Sequence, residues 1–463
     1  MAGRILYPFL CLFLLLDLGY SFHQHFQMAL DGDMASIILP AEGYSAVLND
    51  PFGLRVLLHG EHYPAPNRFF AHWTMSKYFK SVPFLFQAAC PPIDSIYAAS
   101  ALAKTLIQGF LIWLLATYIS GKTNPFRKEF ILAAVLITPL FQTFGYNIQM
   151  GIIDKSVTYT FFFALPLGLL LLFFLPFFRS VIRKENWTPK PLQMVLLALL
   201  AVILSFNGPL IPGVVLIVCP FILVYSGWKK KLTRPHLFLF LFISAWCLYS
   251  FFIGMNNAEN AANSLPVGER YLRIPHGLFA LFSQKIGPPL LLVVTISNVL
   301  ILRRFKKNPQ ARMILHFSKW IALFALLYLF LLPLGGYREY RPDIVRRDTM
   351  MPLFLCLFLL FGWSSSFLIH HLSSFKKGYL ALIVGVLLLF TFADAPHRPP
   401  HACEREGLEI LSRSQEPIVR LPSDCNILSW TRITDPKGSE WNAQLLMYWG
   451  VTDKKRLYFQ SKK

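Results

Sequence analysis

Three aspartates stand beside apolar stretches of this sequence, where a carboxylate is costly unless it is solvated, paired or used. Asp31 and Asp33 follow the first apolar stretch in HQHFQMALDGDMAS, and Asp154 lies in the short loop YNIQMGIIDKSVTY. If the apolar stretches before them are neighbouring helices, the carboxylates face one cavity, which suits general-base catalysis or metal binding. The alternatives are a solvated Asp-Gly-Asp turn and an ion pair between Asp154 and Lys155.

Four arginines are clustered in a late loop with the sequence LLPLGGYREYRPDIVRRDTMMP. The guanidinium group is a planar fork that matches phosphate and carboxylate oxygens, so the cluster predicts a site for such an anion. Its members are Arg338, Arg341, Arg346 and Arg347. The alternative is a salt-bridged loop, because Glu339, Asp343 and Asp348 lie among the arginines.

Histidines between the first and second apolar stretches are weaker candidates for metal ligands. They are His23, His25, His59 and His62, and none of them lies in an HExxH motif. Such histidines are more often solvated surface groups. No cofactor follows from these patterns, although a divalent metal stays open. Near the C-terminus, Cys403 and Cys425 are candidates for a disulfide, since a bridge would stabilise a region with little core of its own.

The composition defines the class of protein that must position these residues. The 463-residue chain is 55% hydrophobic and 15% charged, whereas a soluble chain carries about 25% charged residues. A disordered chain would lack its 43 Phe and 10 Trp. We therefore expect an all-α polytopic membrane protein with about eleven helices of roughly 20 residues each. The expected spans are residues 5–22, 94–120, 130–146, 158–178, 191–206, 209–226, 236–253, 286–302, 313–334, 350–369 and 378–394.

The distribution of lysine and arginine predicts the orientation. Alternate loops, such as GKTNPFRKE, GWKKKLTRPH and RRFKKNPQAR, concentrate basic residues and carry few acids. By the positive-inside rule these loops are inside, so the N-terminus is inside and the C-terminus outside. Much of the net charge of +20 then faces anionic lipid headgroups, and no nucleic-acid partner is expected. We take the first apolar stretch as a retained helix, because no signal-peptide cleavage site follows it.

On this topology the chain divides into a transmembrane domain, residues 1–394, and a small extracytoplasmic domain, residues 395–463. The first extracytoplasmic loop, residues 23–93, contains an aromatic and basic stretch typical of a helix in the headgroup plane. The tail predicts a short helix and then strand and turn signals at residues 421–433. Within the second span, Lys104 is a buried cation that needs a partner, for which Asp17 is one candidate.

This organisation resembles the GT-C superfamily of membrane glycosyltransferases, which includes protein O-mannosyltransferases and the transferases that decorate lipid A with aminoarabinose. The resemblance rests on DGDMAS after the first helix, the long first loop, the acidic second outside loop and the arginine-bearing late loop. It implies transfer of a sugar from a polyprenyl-phosphate donor to a lipid, glycan or protein acceptor on the extracytoplasmic face.

By the same resemblance, Asp33 or Asp31 would be the general base and Asp154 would assist acceptor or metal binding. The four arginines would contact the donor phosphate, and a base opposite the leaving group predicts inversion at the anomeric carbon. A bacterial inner membrane with a periplasmic site is expected. Two other classes stay open: an O-antigen-type polymerase or ligase, and a transporter or flippase of a lipid-linked substrate.

Overall fold

The computed structural model describes the chain except residues 1, 184, 186, 230–231, 262–264, 336, 338–341, 396–398 and 461–463. The described part is a bundle of α-helices with a small C-terminal region that contains two short strands. The helices before the third long apolar segment are α1 (Ala2–Phe26), α2 (Met34–Ile38), α3 (Glu42–Asn49), α4 (Leu54–His59), α5 (Phe69–Phe79), α6 (Val82–Phe86), α7 (Pro92–Ser120), α8 (Lys128–Ile137), α9 (Asn147–Met150), α10 (Val157–Tyr159) and α11 (Leu165–Arg183).

The second half of the chain continues the same pattern. Its helices are α12 (Pro191–Ser205), α13 (Leu210–Trp228), α14 (Arg234–Met255), α15 (Ala258–Ala261), α16 (Val267–Ser283), α17 (Gly287–Leu302), α18 (Pro309–Leu331), α19 (Arg347–His371), α20 (Lys376–Ala393), α21 (Pro399–Arg413) and α22 (Glu440–Tyr448). A π-helical turn at Thr160–Ala164 joins α10 to α11 in one continuous rod.

The protein is a multi-pass membrane protein. In the described part of the chain, eight helices are long and apolar enough to cross a bilayer: Pro92–Ser120, Val157–Ile182, Leu210–Trp228, Arg234–Met255, Gly287–Phe305, Pro309–Gly335, Arg347–His371 and Lys376–Ala393. Each coincides with one of the eleven expected spans. The other three expected spans fall on α1, α8 and α12, so the number eleven stays a prediction.

Two of those three helices are short. The helix α12 has 15 residues, fewer than the roughly 20 that cross the hydrocarbon core. The expected span at 130–146 is the ten-residue α8 followed by one 3₁₀ segment, Thr138–Phe141. After Phe141 the chain leaves the helical path, where the carboxylate of Asp394 accepts hydrogen bonds from the amides of Thr143 and Phe144.

The helix α7 is the centre of the bundle. It packs against α1, α8, α11 and α19, and polar side chains, Ser100, Lys104 and Gln108 among them, are buried along its length. Buried polar groups inside a membrane bundle must find partners within the protein. Gln108 donates to Ser21 of α1 and contacts the His25 ring at 3.0 Å. The polar face of α7 therefore fixes how α1 lies against it.

The C-terminal region, which we call the tail domain, covers residues 399–460. A disulfide joins Cys403 of α21 to Cys425, the pair singled out in the sequence. The expected helix is α21, but the expected strand signals at 421–433 are wrong in position. The strands are β1 (Ile418–Leu421) and β2 (Leu457–Gln460), which pair in parallel with Ile418 opposite Leu457, whereas 422–433 is irregular.

The tail domain is held on the first loop by buried polar contacts. The Trp449 indole donates to the carbonyl of Phe79 at 3.0 Å, and Gln87 donates to the carbonyl of Trp449 at 2.7 Å. Trp449 is itself fully buried. The chain near its C-terminus therefore folds back over the helices that follow α1, which places tail residues beside the Asp-Gly-Asp motif.

Candidate active site

Asp31 is a buried hub of hydrogen bonds. Its side chain accepts from the Ser156 hydroxyl at 2.9 Å, from the Thr158 amide at 3.0 Å and from the Thr158 hydroxyl at 2.8 Å. A fourth bond comes from the amide of Asp33 at 3.1 Å. Only 4% of Asp31 is exposed. A carboxylate that accepts this many bonds is held in one orientation, so Asp31 ties the loop after α1 to the segment before α11.

Asp33 has a different environment, although only Gly32 separates it from Asp31. It precedes α2 and is half-buried. Its Oδ1 accepts a hydrogen bond of 2.8 Å from the indole nitrogen of Trp430 in the tail domain. Partial exposure leaves Asp33 within reach of a ligand, so it fits the role of a general base better than Asp31 does.

Asp154 is completely buried and forms an ion pair with Arg347, with 2.5 Å between Oδ2 and Nε. Its Oδ1 accepts from the amide of Ser156 at 2.9 Å, so Ser156 links Asp154 to Asp31. The close partner of Asp154 is thus Arg347 and not Lys155, whose ammonium lies over the Phe144 ring at 5.2 Å and interacts with Asp154 through charge alone. Burial, and then the charge of Arg347, lower the pKa of Lys155.

Lys104 lies beneath these carboxylates and is fully buried in α7. Its ammonium donates to the carbonyl of Lys155 and to the Met28 sulfur, and it interacts electrostatically with both Asp31 and Asp154. The expected partner Asp17 is wrong as a neutralising group, since Asp17 interacts with Asp394 instead. Two buried anions therefore face two cations, Lys104 and Arg347, which lowers the cost of burying the charges.

The two described arginines of the late loop differ in how they are used. Arg346 is committed to its own loop: Nε and Nη2 donate to the Asp348 carboxylate, and Nη1 donates to the Asp343 carbonyl. For Arg346 this is the alternative named in the sequence analysis, a salt bridge within the loop. Arg347 donates through Nε to Asp154, and among the described residues no hydrogen bond engages its terminal nitrogens, which can therefore donate to a ligand. Arg338 and Arg341 lie outside the described residues.

A cavity of about 300 Å³ opens beside this pair of arginines. Its walls come from α9, Tyr159 of α10, α16 and the N-terminus of α19 with the residues just before it. The lining residues are Ile148, Gln149, Tyr159, Gly277, Ala280, Leu281, Gln284, Asp343, Val345, Arg346, Arg347 and Asp348. The helix N-terminus of α19 adds a favourable potential for an anion. The wall therefore offers a ligand the Arg347 side chain and a helix N-terminus, beside the carboxylates of Asp343 and Asp348.

Tyr159 connects this cavity to Asp33. Its side chain lines the cavity, and its ring lies 6.2 Å from the ring of Trp430, which in turn bonds Asp33. On the other side of the motif, Tyr44 donates to Glu259 at 3.2 Å. Burial, and then the charge of Glu259, raise the pKa of Tyr44, with a further contribution from Asp33.

The histidine candidates are not brought together. His25 is buried against Gln108, whereas His23, His59 and His62 are exposed. Within the ranges that the structure describes, no group of three or more His, Cys, Asp or Glu side chains is placed to hold a metal ion. The spacing of histidines in the sequence does not give the distance between segments that are far apart in the chain. Here the histidines lie on α1, at the end of α4 and just after α4, in different surroundings.

Several residues of the site were missed from the sequence. Ser156 and Thr158 follow Asp154 closely, and the run DKSVT could have been read as a loop of carboxylate-binding hydroxyls before a helix. Trp430 carries no such signal, because it is 397 residues from its partner Asp33. No protein-family model matches this chain, and none of the curated proteins is significantly similar to it.

Proposed function

We propose that this protein is a membrane glycosyltransferase that moves a sugar from a polyprenyl-phosphate donor to an acceptor hydroxyl on the extracytoplasmic face. The observation that carries the proposal is the ion pair of Arg347 with Asp154. It stands at the wall of a cavity and is joined through Ser156 to the motif that bears Asp31 and Asp33. An arginine in the wall of a cavity, joined to a motif that bears a half-buried carboxylate, supplies the two groups that transfer from a phosphate requires.

In this proposal the charged residues have separate roles. Asp33 is the general base, because it is half-buried and reachable. Arg347 binds the donor phosphate through the nitrogens that Asp154 does not use. Asp31 and Asp154 position these two groups, and Arg346 holds the loop at the start of α19. Arg338 and Arg341 remain candidates for further phosphate contacts.

The reaction balances with these groups alone. The acceptor hydroxyl gives its proton to the Asp33 carboxylate, and its oxygen forms a bond to the anomeric carbon. The bond from that carbon to the phosphate oxygen breaks, and the electron pair leaves with polyprenyl phosphate. Arg347 stabilises the negative charge that grows on this leaving group. Attack from the side opposite the phosphate inverts the anomeric carbon.

The positive-inside pattern supports the sidedness of the proposal. Asp31, Asp154 and Arg347 lie at one end of the helices of the bundle. The basic loops lie at the opposite end. With the N-terminus inside, the site faces outside, which in a bacterial inner membrane is the periplasm. A polyprenyl tail could then lie among the helices while its phosphate enters the cavity.

The test is transfer of radiolabelled sugar from a panel of polyprenyl-phosphate donors in membranes that contain the full chain. Asp33→Asn should abolish transfer without weakening donor binding, whereas Arg347→Ala should weaken donor binding. Asp435→Asn, the same change at an exposed cap of the tail domain, is the matched control. Undiminished transfer by Asp33→Asn would favour a polymerase or ligase. Lipid movement without a covalent product would favour a transporter.

A further inference from the structure

The tail domain presents one tryptophan on a loop that is held from several sides. The carboxylate of Glu404 accepts from the amide of Leu428 at 3.0 Å, and Asn442 donates to the carbonyl of Leu428 at 3.0 Å. Asn426 donates to the carbonyl of Trp430 at 2.8 Å. These bonds fix the backbone on both sides of the loop, so the position of Trp430 is built into the fold.

That position is against the Asp-Gly-Asp motif. A Cβ at Gly32 would come within 2.5 Å of the Trp430 amide nitrogen, so only glycine admits the loop this closely. The indole nitrogen bonds Asp33, and the ring stands 6.2 Å from that of Tyr159 at an angle of 43°. Even so, 51% of Trp430 is exposed. The ring is therefore held in place by the fold and still open to contact with a ligand.

We propose that Trp430 and Tyr159 form a subsite for the pyranose ring of the transferred sugar. Tyr159 belongs to the cavity that Arg347 lines, and Trp430 bonds Asp33, so the two rings form a chain of contacts from the phosphate-binding group to the base. The inference rests on the proposed function and extends it by naming the residues that contact the sugar.

The chemistry of the substrate fits this arrangement. One face of a pyranose is covered by C–H groups, which pack well on the electron-rich face of an aromatic ring. In an inverting transfer the sugar lies between the leaving phosphate and the acceptor hydroxyl, which is the order of Arg347, the two rings and Asp33. The indole N–H also orients the carboxylate of Asp33, so Trp430 has a second, positioning role.

The experiment compares two probes on the full chain in lipid nanodiscs: polyprenyl phosphate carrying a sugar from a panel of hexoses, pentoses and N-acetylhexosamines, and bare polyprenyl phosphate. Trp430→Leu should weaken binding of the sugar-bearing lipid about tenfold and leave the bare lipid unchanged. Trp430→Phe keeps an aromatic ring but loses the N–H. It should bind the sugar-bearing lipid almost as wild type does, with a lower kcat whose acid limb moves to higher pH.

Trp441→Leu is the matched control, because Trp441 is a 40% exposed tryptophan of α22 in the same domain. It should bind both lipids as wild type does. Unchanged bare-lipid binding in Trp430→Leu shows that the variant is folded. Equal weakening of both lipids, or of neither, overturns the subsite while the glycosyltransferase stands. A wild type that transfers sugar from no donor overturns both.

Discussion

The ion pair of Asp154 and Arg347 gives a quantitative prediction through a double-mutant cycle. The Asp154 side chain is 1% exposed, whereas 28% of the Arg347 side chain is exposed at the cavity. Arg347→Met would remove the cation that is hydrogen-bonded to the buried Asp154 carboxylate, at a cost of about 3 kcal/mol in the free energy of unfolding. Asp154→Asn leaves a guanidinium that can reach water, so we expect only about 1 kcal/mol.

The double variant Asp154→Asn/Arg347→Met has neither charge. Its free energy of unfolding should therefore fall by about 2 kcal/mol less than the sum of the decreases in the two single variants. That difference is the coupling energy of the pair. The measurement is the free energy of unfolding in mixed micelles for the four proteins. Arg413→Met is the control, since Arg413 is 81% exposed and pairs with Glu409 only at 3.7 Å. Such surface pairs contribute little.

Two results would refute this reasoning. Additive losses in the double variant would mean that the pair is not coupled, whatever its distance. An Asp154→Asn loss as large as that of Arg347→Met would mean that burial of the carboxylate does not set the cost. In that case nearby Lys104 would be the dominant partner of Asp154, and the phosphate-binding role of Arg347 would lose its structural basis.

Three further predictions concern the tail domain. Gly32→Ala should displace the Trp430 loop and reduce sugar transfer at least tenfold. The control Gly378→Ala, where a Cβ meets no atom within 4 Å, should leave transfer unchanged. Equal activity of the two variants would exclude close packing of the Trp430 loop on Gly32. Cys403→Ser opens a bridge of sequence separation 22 and should cost about 3 kcal/mol, visible as faster proteolysis of the tail in the folded protein; an unchanged rate would contradict this. Burial raises the pKa of Glu404 to about 7, so the folded state keeps a proton that the unfolded state releases above about pH 4.5. The free energy of unfolding should fall by about 3 kcal/mol as pH rises from about 4.5 to 7. Glu404→Gln should make it nearly independent of pH in that range, and an unaltered pH dependence in this variant would rule out Glu404 as its source.

The membrane class and most of the spans could be predicted because they depend on local composition. A run of about 20 apolar residues specifies a helix in lipid whatever its neighbours are, since the backbone must satisfy its own hydrogen bonds there. The eight spans from Pro92–Ser120 to Lys376–Ala393 therefore agree with the sequence. The doubtful elements, α8 and α12, are those whose length is decided by packing and by polar caps rather than by hydropathy.

The residue types of the candidate site could be predicted from the sequence, whereas their contacts could be predicted only in part. The sequence predicted that Asp31 and Asp154 face one cavity if their helices are neighbours, and only the family resemblance joined the late arginines to them. It could not separate Asp31 from Asp33, which lie two residues apart but differ in burial. That difference comes from Ser156 and Thr158, whose hydroxyls reach Asp31 and not its neighbour.

What the sequence determined by itself is therefore the membrane architecture and the list of charged groups that must be neutralised. Tertiary structure decided which group meets which: Arg347 reaches Asp154 across 193 residues, and Trp430 reaches Asp33 across 397. The physical reason is range. Hydropathy acts through neighbours along the chain, whereas an ion pair or a hydrogen bond forms only when helix packing brings two distant side chains within about 3 Å.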